Sequence, residues 1–94
     1  MNSITIKELK NINNPIIIDV RPYEEYRYGT LQNAINIPGI KLIHKPNKYL
    51  NKQTTYYILC QSGRQSLDIV NTLNLQGFNT VNIIGGYNNY LLSK

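Results

Sequence analysis

The sequence predicts an α/β protein: an open parallel sheet of four or five strands with helices on both faces. Three observations predict it. Continuous apolar runs at Ile16-Ile17-Ile18 and Tyr56-Tyr57-Ile58-Leu59 suit strands buried on both faces, as parallel strands are. Strand-like and helix-like segments alternate four or five times, the pattern of a parallel sheet built from crossover units. The chain has 94 residues, enough for one domain over residues 1–94 and too few for two.

The elements follow in order. Thr5-Ile6-Lys7-Glu8 has the form of a capping box, with Thr5 as N-cap and Glu8 reaching back from the third helical position. It starts a short helix that ends near Asn11 to Asn14. Pro15 leads into the strand Ile16-Ile17-Ile18, which ends at Asp19-Val20-Arg21-Pro22. Pro22 suits the first position of a helix from Tyr23 to Tyr28, stopped by Gly29. Ala34 to Pro38 reads as a short strand closed by a turn at Gly39. Ile40 to Leu50 reads as a helix interrupted near Pro46. Tyr56 to Leu59 is the next buried strand, with Cys60 at its carboxyl end. A glycine-containing turn leads to a helix from about Arg64 to Gln76, whose apolar face is spaced by Leu67, Val70 and Leu73 and whose stop is Gly77. Val81 to Ile84 is a further strand, and Gly85-Gly86 turns into a final helix from Tyr87 to Leu92.

Composition narrows the function classes. The formal net charge is +5. A basic balance suits nucleic acid, an acidic membrane surface or a small anionic substrate. The cations are scattered, however. Lys41, Lys45, Lys48 and Lys52 form the only loose cluster, and no arginines interleave with aromatic residues there, which argues against a nucleic-acid partner. A small anion needs only one or two well-placed cations. The single cysteine excludes an internal disulfide and a resolving cysteine in the same chain, and it argues against a cysteine-based metal site. No cofactor or metal is expected. No signal-peptide segment or apolar run of 18 residues is present, so the expectation is a cytoplasmic protein without a membrane partner.

The chemistry is expected in Cys60-Gln61-Ser62-Gly63-Arg64-Gln65-Ser66, between a strand and a helix. Such a loop curls so that successive backbone N–H groups point inward, and the helix start adds free N–H groups and about half a positive charge. Gly63 permits the tight curl. A free cysteine is only about 3 % thiolate at neutral pH, and an anion cradle with Arg64 beside it favours the reactive thiolate. Ligands of open parallel sheets bind at the carboxyl ends of the strands, where Cys60 stands. The competing reading is a small buried hydrophobe, the usual state of a free cysteine.

These residues resemble the rhodanese-like domains over nearly the whole chain. Asp19-Val20-Arg21, Glu25-Tyr26, Gly29, Ala34 and Asn36-Ile37-Pro38 follow the family's first block in order and spacing. Cys60 to Ser66 is similar to its active-site loop, closest to the short, single-domain phage-shock type with its Gly-Arg-Gln-Ser run. Gly77-Phe78, Val81 and Gly85-Gly86 resemble its closing block. The resemblance implies a sulfurtransferase. The Cys60 thiolate would take the outer sulfur of an anionic donor such as thiosulfate, backbone N–H groups from Gln61 to Ser66 would hold the persulfide, and cyanide, a thiol or a protein acceptor would remove it. A non-catalytic persulfide carrier or protein-binding module is the alternative. A phosphatase or arsenate reductase fits less well, because those phosphatases need Arg six positions after the cysteine, where Ser66 stands. Thr30 replaces a frequent His, Leu31 an Ile, Gln65 a frequent Arg and Tyr90 a closing Trp.

Asp19 and Arg21 leave a strand at the same sheet edge. Arg21 is expected to pair with Glu25 on the following helix, and Asp19 to fix the turn, both as structural support. His44, the one histidine, is expected at the surface. Tyr87 and Tyr90, at helical spacing, are expected to pack.

Overall fold

The computed structural model describes residues 2–94. Among these residues there are five strands: β1 (Ser3–Ile4), β2 (Ile17–Asp19), β3 (Ile35–Asn36), β4 (Thr55–Leu59) and β5 (Asn79–Ile83). The helices are α1 (Ile6–Leu9), α2 (Tyr23–Tyr28), α3 (Gly39–His44), α4 (Pro46–Tyr49), α5 (Arg64–Leu75) and α6 (Gly86–Leu92). The strands form one sheet in the order β1-β5-β4-β2-β3, and every pairing is parallel. β1 has only two residues, too few to show a hydrophobic period.

Alternation along the central strands feeds two apolar layers. Ile18, Val20, Tyr56, Ile58 and Cys60 pack on one face with Ile69, Val70 and Leu73 of α5 and Leu42 of α3. Ile17, Leu59 and Ile83 pack on the other with Ile6 and Leu9 of α1 and, more loosely, Tyr87 and Tyr90 of α6. Helices thus cover both faces. The first helix ends at Leu9, short of Asn11, the last strand runs from Asn79 to Ile83 rather than from Val81 to Ile84, and burial differs from expectation at two places. Ile16 is exposed, because the paired strand begins one residue later. The buried face of α5 is Ser66, Ile69, Val70 and Leu73, while Leu67 is 39 % exposed. Leu67 lies one residue, about 100° of helix turn, from that stripe, and the small polar Ser66 takes the place assigned to it.

The topology creates the crevice. β2 and β4 are neighbours, but β2 continues outward to β3 while β4 continues the other way to β5. Their outgoing connections diverge, which opens a cleft beyond the carboxyl ends of β2 and β4. Asp19 ends β2, and Cys60 follows the last residue of β4.

Candidate active site

Cys60 is 1 % exposed, and its side chain faces α5. Three donors or partners meet its sulfur: the Gly63 N–H at 3.1 Å, the Ser66 N–H at 3.3 Å and the Ser66 hydroxyl at 3.1 Å. Gly63 and Ser66 supply the bonds to sulfur, while the Arg64 N–H turns to Ser62 Oγ at 3.4 Å. Gln61, Ser62, Arg64 and Gln65 carry exposed side chains, and α5 begins at Arg64, so its free N–H groups and partial positive charge lie beside the sulfur.

The outer side of the loop is held by α6. The Cys60 carbonyl accepts from the Tyr87 N–H at 2.9 Å and the Gln61 carbonyl from the Asn88 N–H at 3.0 Å. Gln61 Nε2 also donates to Asn88 Oδ1 at 2.6 Å. This fit needs glycine twice. Gly63 has φ +90°, and a Cβ there would stand 2.7 Å from the Gly85 nitrogen; a Cβ on Gly86 would strike the Cys60 carbonyl oxygen. Tyr87 and Asn88 were not singled out from the sequence as loop partners. The paired glycines before the last helix were the available sign.

Asp19 and Arg21 are brought to the same edge, both buried. Arg21 Nε and Nη2 donate to the Asp19 carboxylate at 3.0 Å and 2.7 Å, Nη2 also to the Gly29 carbonyl at 2.6 Å, and Nη1 to Gln61 Oε1 at 3.0 Å. The guanidinium lies 4.4 Å from the Tyr87 ring centroid. The hydrogen bonds that Arg21 donates to Asp19 raise its guanidinium above its already high range. Asp19 does fix the turn, by accepting from the Arg21 N–H at 3.0 Å. The expected Arg21–Glu25 pair does not form. Glu25 sits on the exposed side of α2, whereas Arg21 turns into the cleft, where Asp19 compensates its buried charge. Thr30 has a place too: its hydroxyl donates to Asp19 Oδ2 at 2.8 Å. His44 is exposed. Tyr87 and Tyr90 stack with centroids 5.8 Å apart, and Tyr87 adds the contact with Arg21.

Sequence reading missed Asn82. It is the penultimate residue of β5, is 4 % exposed, and its Oδ1 stands 2.5 Å from Ser66 Oγ. A polar residue between Val81 and Ile83 in a buried strand was the signal.

A thiol seated at the start of a strand–loop–helix turn, at the diverging edge of a five-stranded parallel sheet, defines the class: a cysteine-loop α/β protein. The Rhodanese-like domain model matches residues 5–93, and the chain belongs to that family. It is 34 % identical over 84 residues to the adenylyltransferase and sulfurtransferase uba4 of Ogataea parapolymorpha, covering 88 % of this chain but 22 % of that protein. It is 38 % identical over 70 residues to YtwF of Bacillus subtilis, covering 74 % of this chain and 67 % of YtwF. The crystal structure of a rhodanese-like domain protein from Staphylococcus aureus superposes with a TM-score of 0.81 at 38 % identity, over 92 % of this chain and 87 % of that one. No helix among the described residues is long and apolar enough to cross a membrane.

Proposed function

We propose that residues 1–94 act as one rhodanese-type sulfurtransferase domain, moving sulfane sulfur from thiosulfate or a similar small anionic donor to a thiophilic acceptor. The observation that carries this is the polar setting of Cys60: two backbone N–H groups donate to one buried sulfur, and a hydroxyl lies against it. Such a setting suits a sulfur that is anionic during its working cycle.

The Cys60 thiolate attacks the outer sulfur of the donor. A Cys60–sulfur bond forms, the donor's S–S bond breaks, and sulfite leaves with that electron pair. The persulfide stays in the loop, near the Gly63 and Ser66 N–H groups. An external nucleophile (cyanide, a thiol or a protein acceptor) then attacks the terminal sulfur, and the Cys60 thiolate is released. Arg64, exposed on the first turn of α5, draws in the anionic donor, and Gln61, Ser62 and Gln65 line its approach. Asp19 and Arg21 hold the loop through Gln61.

Incubation with thiosulfate should add the mass of one sulfur atom to the intact protein, and Cys60→Ala should abolish it. An unmodified chain that gains no sulfur contradicts the proposal. One feature favours a second reading, a persulfide carrier without fast turnover: Gln65 leaves Arg64 as the loop's one cation. Stable persulfide that a protein acceptor discharges but cyanide does not would select it.

A further inference from the structure

Ser66 Oγ lies 3.1 Å from the Cys60 sulfur and 2.5 Å from Asn82 Oδ1, with all three side chains buried. A hydroxyl has one proton, and an amide oxygen has none. The short contact joins two oxygens, so the Ser66 proton is committed to Asn82. The proton between Cys60 and Ser66 then comes from the sulfur. This arrangement belongs to the thiol, with S–H donating to Ser66.

A thiolate has no proton to give. The triad accommodates it only if Ser66 turns its hydroxyl toward the sulfur, which leaves the Asn82 oxygen facing a bare Ser66 oxygen. Asparagine resolves this conflict. A half-turn of its amide places an N–H where the oxygen was, with almost no change of shape. Few other side chains offer both polarities at one point.

From this geometry we infer that Asn82 is a positioning residue for Cys60: its amide reverses when the sulfur loses its proton, so that Ser66 accepts from the thiol and donates to the sulfur anion. The thiol proton leaves to solvent. The Ser66 proton stays on its oxygen and changes only its direction. The strand register seats Asn82 for this, opposite Ile58 on β4, two residues before Cys60. No charged group takes part. The sulfur's partners are neutral, and β4, β5 and α6 carry no charged residue. The charged groups of the other surrounding elements are Asp19 at the end of β2 with Arg21 just beyond it, exposed Arg64 and Asp68 on α5, and exposed Lys41 and His44 on α3. The inference rests on the sulfurtransferase reading only for its purpose. The switch itself is a property of the thiol.

The test is the pH dependence of Cys60 alkylation by iodoacetamide in the full chain, with NMR of the Asn82 side-chain amide. Asn82→Leu keeps the size and removes both the acceptor that serves the thiol and the donor that serves the anion; the donor counts for more, because its hydrogen bond belongs to a chain that ends on a charge. It should move the alkylation midpoint upward and slow the reaction at neutral pH by about three- to tenfold, the equivalent of one hydrogen bond. Added to Ser66→Ala, it should change nothing further. An equal effect in both backgrounds overturns the inference. In the unmodified chain an Asn82 amide proton should shift through the alkylation midpoint and stay still in Cys60→Ala. A resonance that is flat through that midpoint overturns the inference even if Asn82→Leu fails to fold. Alkylation needs no sulfur donor. A chain whose alkylation and NMR behave as expected, yet which takes no sulfur from thiosulfate, therefore supports the switch and refutes the proposed function.

Discussion

Gly63 meets two separate demands. Its φ of +90° lies where a Cβ is strained, and its Cα faces the Gly85 nitrogen so closely that a Cβ would sit 2.7 Å away. Its N–H also donates to the Cys60 sulfur. Gly63→Ala should therefore cost about 2 kcal/mol or more from backbone strain alone, lowering the thermal midpoint by roughly 10 °C in a chain of this size. It should slow thiol alkylation as well, because the donating N–H moves. A variant with an unchanged midpoint would mean that the loop relaxes freely. The tight curl was readable from the sequence, since a glycine follows closely on Cys60. The second demand was not, because Gly85 approaches from another part of the chain.

At the scale of elements, α1 begins as its residues specify. Thr5 Oγ1 accepts from the Glu8 N–H at 3.0 Å, and Glu8 accepts from the Thr5 N–H at 3.0 Å and from its hydroxyl at 2.9 Å. The backbone and hydroxyl bonds from Thr5 hold the Glu8 carboxyl below the ordinary carboxylate range. A lowered carboxyl stabilises the fold above the unfolded value, and its contribution is lost as pH falls through the folded one. Glu8→Gln should be less stable than the parent at neutral pH, with the gap closing on acidification; thermal unfolding across that range checks it, and a constant gap contradicts it. The capping box is local, so the sequence showed it. The face of α5 was half legible. Val70 and Leu73 were read correctly, but Ser66 was hidden among polar residues because its burial depends on Cys60 and Asn82, which lie on other elements.

For the molecule as a whole, the Asp19–Arg21 pair is the junction. It joins the end of β2 to Gly29 after α2, to Gln61 in the cysteine loop and to Tyr87 on α6. Removing one partner of a buried pair leaves an uncompensated charge, at a cost of about 3 kcal/mol or more. Asp19→Asn should lower stability by that amount in urea unfolding, a large share of the few kcal/mol that hold a small domain. It should also loosen the loop, seen as faster proteolysis or hydrogen exchange around Gln61. Loss of less than 1 kcal/mol would show that Gly29, Gln61 and Tyr87 hold Arg21 without Asp19.

The sequence by itself determined the parallel α/β architecture, the strand–loop–helix setting of Cys60 and the glycine turns, because these depend on neighbours in the chain: apolar runs, caps and backbone freedom. Tertiary structure decided the partners. Arg21 was assigned to Glu25 by helical proximity, but burial in the cleft made Asp19 the compensating charge. Thr30 gained a purpose only when α2 brought it to Asp19. Asn82 went unremarked in the sequence, and only the parallel register of β5 beside β4 set it against Ser66 and the sulfur. Local order is written in adjacent residues, whereas the hydrogen-bond partners of a buried polar group are set by whichever elements the sheet order packs against it.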